Sequence, residues 1–337
     1  GEGVGGYPGS ERRLTLSAAR RHENARLRMD RTIANPLRGI AMKVLSIALF
    51  ISMQSMVKLA GPGIATGEIT FFRSFFALVP IMGWLAFRSQ LASSFKTANP
   101  MGHFYRGFVG VSSMALGFYG VVHLPLPEAI AIGYAMPLFA VIAGAVLLGE
   151  DVRRYRWAAV AAGFFGVIVI LWPRLTLFES GRLGAEEFAG VMAVLFSAAL
   201  AAVAMVHVRQ LVRTERTPTI VLYFSLTSAI FSLGTLPFGW AWPTWQATLL
   251  ICAGFLGGIG QILLTESYRY AEVSTIAPFE YTSIIWGTIF GYYLFGDLPG
   301  GTLLFGAAIV IGAGIFILYR ETRRQIDSGR KDRTLTP

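Results

Sequence analysis

The stretch of sequence that decides the fold is PEAIAIGYAMPLFAVIAGAVLL, residues 127–148. It carries a single charged side chain, Glu128, and it exceeds the roughly 20 apolar residues that a helix needs to cross a bilayer. The charged segment GEDVRR follows at 149–154 and ends the apolar run. The stretch therefore predicts a transmembrane helix.

Similar apolar runs fill most of the chain. Of its 337 residues, 54% are hydrophobic and 14% are charged, whereas soluble domains have about 25% charged residues. The mean hydropathy is +0.57. We predict an all-α integral membrane protein with ten transmembrane helices and no sizeable soluble domain. The predicted spans are 39–60, 67–87, 103–122, 127–148, 155–173, 185–207, 218–239, 246–268, 273–295 and 301–319.

The distribution of positive charge predicts the orientation. The net charge of +10 would suggest nucleic-acid binding in a soluble protein. Here, with the N-terminus inside, the inner tails and loops carry 23 Lys and Arg and the outer loops carry two, Arg174 and Arg182. This bias is typical of cytoplasmic loops. We expect both termini in the cytoplasm and no nucleic-acid partner.

Tryptophan positions agree with this division. Trp286 alone is predicted in the middle of a span, whereas the other six lie at span ends, where amphipathic rings favour the headgroup region. The six are Trp84, Trp157, Trp172, Trp240, Trp242 and Trp245.

Metal and redox chemistry receive no support. The chain has one cysteine, Cys252, and four histidines without ligand spacing. We predict no metal site and no cofactor.

The two halves of the chain repeat each other with a shift of 147 residues. Tyr134 aligns with Tyr281, and Gly149-Glu150 aligns with Gly296-Asp297. Because each half has an odd number of spans, the second enters the membrane from the opposite side. Inverted repeats are common in secondary transporters, where the substrate binds near the midplane. A duplicated membrane protein without a transport role is the alternative.

The predicted domain organisation follows from this repeat. It consists of a basic N-terminal tail that is disordered or foreign to the native protein (1–35), a first five-span repeat (36–173), an outer linker (174–184), a second five-span repeat (185–320) and a basic cytoplasmic C-tail (321–337).

The best candidate for substrate binding is Glu280, because an ionisable group within a span by default marks a functional site. Pro278 just before it, and Pro137 in the corresponding span of the first half, predict helix kinks. Paired interruptions in matching repeats indicate a transporter's binding site. A structural role for Glu280, with a buried partner, remains the alternative.

Further polar and aromatic residues at membrane depth complete the predicted site. Glu280, Ser283 and Trp286 fall on one arc of a helix. The other candidates are Tyr281, Tyr134, Tyr119, Gln54, Gln261 and Glu266. For each of these tyrosines and glutamines alone, interhelical hydrogen bonding is an alternative role.

A second group of charges lies near the predicted outer face: Lys58, Glu68, Arg73 and Glu128. They could form an outer gate or a vestibule for anions, or a structural ion-pair network in which Arg73 pairs with a carboxylate of a neighbouring helix. On the inner side, Lys43, Arg106 and Arg269 are read as membrane-surface anchors, with Arg106 a further candidate for the charge network.

Several motifs resemble the drug/metabolite transporter superfamily in its ten-span form with two EamA-type repeats. They are EITFFRS at 68–74, HLPLPEA at 123–129, LGE at 148–150, APFEYTS at 277–283 and FGD at 295–297. NPLRGI at 35–40 and LPLPEAIAIGY at 124–134 are similar to bacterial riboflavin transporters, and the APFEYT pattern to S-adenosylmethionine carriers. From this resemblance we expect Asp in many relatives at the position where this chain has Glu280.

The resemblance implies a basket of helices around a central cavity in a bacterial inner membrane. It implies transport of a small organic metabolite by alternating access, with riboflavin uptake the specific hypothesis and S-adenosylmethionine, amino acids or other metabolites the alternatives. The partners implied are this metabolite and membrane lipid, with the protein a monomer or homodimer. An intramembrane lipid-modifying enzyme is the competing class. It needs convergent Asp, His or Cys groups, which the sequence does not bring to one depth.

Overall fold

The computed structural model describes residues 36–61, 63–149, 154–179, 184–211, 214–240, 244–270 and 276–334. These ranges contain helices and short connections and no β-strand. The predicted tail 1–35 lies outside them, as do Glu150, Arg182, Trp242 and the side chains of Arg174 and Arg269.

The helices follow one another with few residues between them. In the first half they are α1 (Pro36–Ala60), α2 (Thr66–Phe87), α3 (Pro100–His123), α4 (Leu126–Gly133), α5 (Met136–Leu148) and α6 (Arg154–Glu179). In the second half they are α7 (Ala185–Leu211), α8 (Thr217–Leu233), α9 (Gln246–Tyr270), α10 (Ser283–Phe290) and α11 (Gly301–Thr334). Single turns lie at Leu91–Ser94 and Leu236–Phe238.

Six of the described helical segments are long and apolar enough to cross a membrane. They are Leu37–Ala60, Thr66–Phe87, Leu126–Leu147, Arg154–Pro173, Ala185–Val208 and Gln246–Ser267. Two shorter apolar helices are Pro218–Leu233 and Gly301–Ile317. The chain is therefore a multi-pass α-helical membrane protein.

Two helices are interrupted at the positions where the sequence has proline. Between α4 and α5 the helix breaks at Tyr134–Ala135, and Pro137 lies in the first turn of the helix that follows. In the second half, a 3-10 segment (Ala277–Thr282) with Pro278 in its first turn precedes α10. Proline has no backbone N–H and clashes with the preceding turn, which explains why regular α-helix ends at both places.

The last helix extends beyond the predicted C-terminal boundary. The predicted span ends at 319, the apolar part of the helix is Gly301–Ile317, and α11 continues as a polar helix to Thr334. Residues 320–334 are polar and contain five arginines, which have high helix propensity, so the helix continues after its apolar part ends.

Each half packs on the other through a defined set of helices. The most extensive contacts join α1 to α9 and α3 to α7, followed by α6 with α11. Helix α2 packs on both α8 and α9.

Glycines allow close approach of the helices at these contacts. A Cβ on Gly258 of α9 would lie 2.7 Å from the Ala77 carbonyl oxygen and 2.5 Å from Cγ of Pro80, both on α2. Between α6 and α11, a Cβ on Gly306 would lie 2.7 Å from the carbonyl oxygen of Gly166. Small residues let helix backbones approach in lipid, where no hydrophobic drive joins helices.

The α2–α9 contact gives a first prediction. We expect Gly258→Ala to destabilise the protein by about 1–3 kcal/mol, because the backbone and proline ring it meets cannot yield easily. The control is Gly312→Ala in α11, where no neighbour lies within 4 Å of the added Cβ and the better helix propensity of Ala should stabilise by about 1 kcal/mol. Thermal unfolding in detergent measures both changes. The same sign for both variants would contradict the packing argument.

Outside the predicted spans, the Glu215 carboxylate connects its own loop to the loop at 97–99. Its Oε1 accepts hydrogen bonds from Thr97 Oγ1 (2.5 Å) and from the backbone N–H groups of Ala98 (2.7 Å) and Asn99 (2.9 Å). Burial by itself raises the pKa of the Glu215 carboxyl, but these hydrogen bonds outweigh it and hold the pKa below its ordinary value.

This lowered pKa predicts a pH dependence of stability. A carboxyl with a depressed pKa contributes stability above its unfolded-chain pKa of about 4.3 and loses it as the pH falls through the folded-state value. We expect Glu215→Gln to lower the melting temperature at pH 6 and to make no difference once the pH lies below the folded-state pKa. Exposed Glu186→Gln is the control. A pH-independent difference between wild type and Glu215→Gln would contradict the assignment.

Candidate functional site

The Glu280 carboxylate is engaged by a buried lysine. Lys43 Nζ, on α1, donates to Glu280 Oε2 in the 3-10 segment before α10. The Lys43 side chain is 6% exposed and the Glu280 side chain is 54% exposed. We call this contact the inner pair, because both residues lie near the ends of their helices that are predicted to be cytoplasmic.

Lys43 corrects a sequence interpretation. It was expected to be a membrane-surface anchor, but it is buried and points to another helix. In the sequence Lys43 lies four residues into the predicted span 39–60, close to its cytoplasmic end, so its burial became apparent only from the packing of α1 against the segment that holds Glu280.

The two helix interruptions meet each other beside the inner pair. The rings of Tyr134 and Tyr281 lie 5.3 Å apart, edge to face. The Tyr134 hydroxyl lies 2.6 Å from Ser283 Oγ, which donates to the Glu280 carbonyl oxygen at 2.7 Å. Tyr134 and Ser283 are buried. Four of the predicted site residues therefore lie together here: Tyr134, Glu280, Tyr281 and Ser283. The contact between the Tyr134 and Ser283 hydroxyls connects the two interrupted helices.

Trp286 lies six residues after Glu280, in the middle of the predicted span 273–295. Its side chain packs against a cluster of buried hydrophobic residues that includes Ile130 and Leu138. Its ring also stacks on that of Phe290, with the ring centroids 6.3 Å apart. A Cβ on the adjacent Gly287 would lie 2.2 Å from Ile130 Cδ1, so α10 runs directly against α4 here. Trp286 is partly buried, which leaves part of the indole accessible.

At the other end of α1, Lys58 forms a second connection. Lys58 Nζ donates to the Leu124 carbonyl oxygen and lies 3.9 Å from Asp297 Oδ2. Asp297 also accepts from the backbone N–H of Leu126 at 3.2 Å, and Lys58 has an attractive electrostatic interaction with Glu128. We call Lys58 and Asp297 the outer pair.

The structure places other predicted residues elsewhere. Glu266 Oε2 lies 3.1 Å from Nη2 of Arg88, at the C-terminal end of α2. The Tyr119 ring stacks on that of His123. Gln54 and Gln261 are partly buried on α1 and α9.

Two members of the predicted outer charge group lie on α2. Glu68 and Arg73 are buried on α2. The expected ion pair of Arg73 with a carboxylate is not found among the described residues. Arg106, on α3, lies with its guanidinium 4.1 Å from the Phe224 ring centroid, and its Nε and Nη1 atoms are buried while the residue as a whole is partly exposed.

Metal binding is not supported by the part of the chain that the structure describes. No group of three or more His, Cys, Asp or Glu side chains there is placed to hold a metal ion.

Comparison with known proteins identifies the family. The model of the EamA-like transporter family matches residues 37–172 and, a second time, residues 188–320. The chain belongs to this EamA-like transporter family. This membership points to a transporter rather than an enzyme.

Several relatives from bacteria carry transporter names. The S-adenosylmethionine uptake transporter of Rickettsia bellii is 27% identical over 85% of this chain and 94% of its own length. The riboflavin transporter of Rhizobium johnstonii is 29% identical over 86% and 91%. The pseudopaline exporter CntI of Pseudomonas aeruginosa is 27% identical over 82% and 94%.

A crystal structure shares the fold of this EamA-like chain. It covers 86% of this chain and 98% of its own, with a TM-score of 0.59 and 20% sequence identity.

Proposed function

We propose that this chain is a secondary transporter that carries a small organic metabolite across a bacterial inner membrane by alternating access. The observation that carries the proposal is the meeting of the two interrupted helices between the inner and the outer pair. Interrupted helices at matching places in two repeats typically surround the substrate site of secondary transporters. The transporter names of the relatives support the same class.

We further propose ten spans arranged as two inverted halves. The interrupted helix α4–α5 is then span four, and residues 276–295, which include α10, are span nine. Exchanging the halves exchanges α1 with α7 and α3 with α9, so the α1–α9 contact becomes the α3–α7 contact, and both are extensive. Tyr134 and Tyr281, 147 positions apart like the sequence repeat, touch each other, as residues beside a two-fold axis do.

Both termini then lie in the cytoplasm, which agrees with the excess of Lys and Arg in the inner segments. In this orientation the inner pair closes the cytoplasmic side and the outer pair closes the opposite side. The inner pair joins α1 to the span that contains α10, and the outer pair joins α1 to the segment that directly follows this span. Rocking of one half against the other would break one pair while the other stays formed.

The substrate is proposed to bind between the two pairs. Glu280, Tyr281, Ser283 and Trp286 line this region from span nine, and Tyr134 lines it from span four. We propose Trp286 as a stacking surface, because a flat ring system packs well on an indole. Riboflavin is therefore the first substrate to test, and S-adenosylmethionine is the alternative.

Uptake into proteoliposomes tests the proposal. Purified protein is reconstituted into lipid vesicles, and these are compared with protein-free vesicles. Uptake of radiolabelled riboflavin and, separately, of radiolabelled S-adenosylmethionine is measured in both. Saturable uptake of either compound, abolished by an excess of the unlabelled compound, is expected. Non-saturable flux with the linear concentration dependence of a channel would contradict alternating access.

The stacking role gives a prediction of its own. We expect Trp286→Ala to raise the KM for the transported compound roughly tenfold, because aromatic contacts and their buried area contribute about 1–2 kcal/mol. Trp245→Ala is the control, since Trp245 is 63% exposed at the start of α9. Equal KM values for the two variants would remove Trp286 from the site.

A further inference from the structure

Helices α6 and α11 pack chiefly on each other within the described residues, and each leaves one face uncovered. On α6, exposed residues recur every three or four positions: Trp157, Ala161, Phe165, Ile168 and Trp172. The two tryptophans are about 22 Å apart along the helix axis at 1.5 Å per residue. An apolar stripe with tryptophan at both ends is typical of a helix face that contacts lipid.

Helix α11 has a similar stripe. Its exposed residues include Phe305, Ala308, Gly312, Phe316 and Tyr319, again three or four positions apart. The apolar part of α11 ends just before Tyr319, so this ring lies where the helix passes from the hydrocarbon into the headgroup region. Both helices therefore present a continuous apolar face to the bilayer.

Each stripe ends in an exposed arginine on the same side of the membrane. On α6, Arg154 lies three residues before Trp157 and therefore on the same helix face. On α11, Arg323 lies four residues after Tyr319, and its guanidinium carbon is 4.9 Å from the Tyr319 ring centroid. In the proposed orientation this side is the cytoplasmic one.

A third exposed arginine, Arg320, connects the two helices at this end. Its guanidinium carbon lies 5.7 Å from the ring centroid of Tyr155 on α6 and 5.9 Å from that of Phe316. These two rings meet edge to face, with their centroids 6.4 Å apart. Such distances are typical of cation–π contacts, which hold a guanidinium group in place without neutralising it.

We call these five residues the basic–aromatic patch: Arg154, Tyr155, Tyr319, Arg320 and Arg323. Within the described residues, no ion pair joins its arginines to a carboxylate. In the sequence, residues 149–156 and 319–324 together have six arginines and three acidic residues. The patch is therefore net positive even when every neighbouring acid along the chain is counted.

We propose that the basic–aromatic patch binds an anionic glycerophospholipid of the inner leaflet. The headgroup phosphate lies at Arg154 and Arg320, and the acyl chains lie along the exposed stripes of α6 and α11. Basic sites at the cytoplasmic ends of membrane helices attract anionic headgroups, and the apolar stripes directly below the arginines match acyl chains. A soluble anion matches only the first of these two features. The inference goes beyond transport and holds for any transported compound.

A lipid titration tests this inference without relying on uptake. Purified protein in neutral detergent is titrated with phosphatidylglycerol, with phosphatidylcholine of the same acyl chains and, separately, with sodium phosphate at the same concentration. We expect phosphatidylglycerol alone to raise the melting temperature, by roughly 2 °C at ten times its Kd. An equal shift with phosphatidylcholine, or with sodium phosphate, would overturn the proposal.

Charge variants assign the shift to the patch. Arg154→Gln and Arg320→Gln should each weaken phosphatidylglycerol binding about fivefold, because one cation at the membrane surface attracts an anionic lipid by about this factor. The matched control is Arg216→Gln, an exposed arginine directly before α8 on the same predicted side of the membrane, which should bind like the wild type. Unchanged binding in Arg320→Gln, or an equal loss in Arg216→Gln, would leave only a diffuse attraction and overturn the site.

Tyr155 provides a test in which no charge changes. Tyr155→Leu removes the ring that Arg320 contacts and should weaken phosphatidylglycerol binding, whereas Tyr155→Phe keeps the ring and should bind like the wild type. The Tyr155 hydroxyl is buried without a hydrogen-bond partner among the described residues, so its removal should not lower the melting temperature of lipid-free protein. Equal binding by folded Tyr155→Leu and Tyr155→Phe would overturn the placement of the headgroup at Arg320. If Tyr155→Leu does not fold, Arg320→Gln decides.

Discussion

Glu280→Gln is expected to lower the uptake rate about 30- to 100-fold while the protein still inserts and folds. Removing the carboxylate charge leaves Lys43, which is 6% exposed, without its ionic partner. Breaking a fully buried pair costs about 3–5 kcal/mol, and the partial exposure of Glu280 reduces the expected effect to about 2–3 kcal/mol. Initial rates in proteoliposomes, normalised to the amount of reconstituted protein, measure it.

A double-mutant cycle connects this loss to the inner pair. Lys43→Met alone should impair uptake similarly, and Lys43→Met combined with Glu280→Gln should cost less than the sum of the two. Glu186→Gln, at an exposed position at the start of α7, is the matched control. Additive effects, or a Glu280→Gln rate equal to the wild type, would exclude a functional inner pair.

Lys58→Met is expected to lower uptake about tenfold or more and to open the outer side of the protein. Within the described residues, Lys58 connects α1 to the Leu124 carbonyl oxygen and to Asp297, so its loss removes the ionic contact between α1 and the segment that follows span nine. The outward-open state should then gain population at the expense of the outward-closed state.

Cysteine labelling measures this opening. In a Cys252→Ser background, Ser283→Cys should react faster with a membrane-impermeant thiol reagent from the outside when Lys58→Met is added. The exposed inner-loop substitution Lys96→Met is the control and should leave the labelling rate unchanged. Slower labelling from the outside in Lys58→Met would contradict an outer gate.

Much of this fold could be predicted from the sequence, because each membrane span depends only on the composition of its own stretch of chain. The repeat register of 147 residues predicted that Tyr134 and Tyr281 are equivalent, and the structure adds that they touch. The prolines indicated where the helices are interrupted, because the missing N–H acts locally. The polar extension of α11 to Thr334 was not predicted, because an apolar run indicates where the span ends and not where the helix ends.

The charge partners could not be predicted in the same way. Lys43 and Glu280 are 237 positions apart, and which faces of α1 and span nine meet is a property of packing. Arg73 was expected to have a carboxylate partner because buried charges are usually paired. Its lack of one within the described residues could be recognised only once the neighbouring helices were in place.

The central claim is that the inner and outer pairs close opposite sides in turn. The most direct measurement is uptake after each side is locked by a short bifunctional methanethiosulfonate cross-linker, in Cys252→Ser protein carrying cysteines at 43 and 280 or at 58 and 297. Alternating access predicts that either cross-link stops uptake and that a reductant restores the rate of the uncross-linked variant. Uptake that continues unchanged with one side locked would contradict the account.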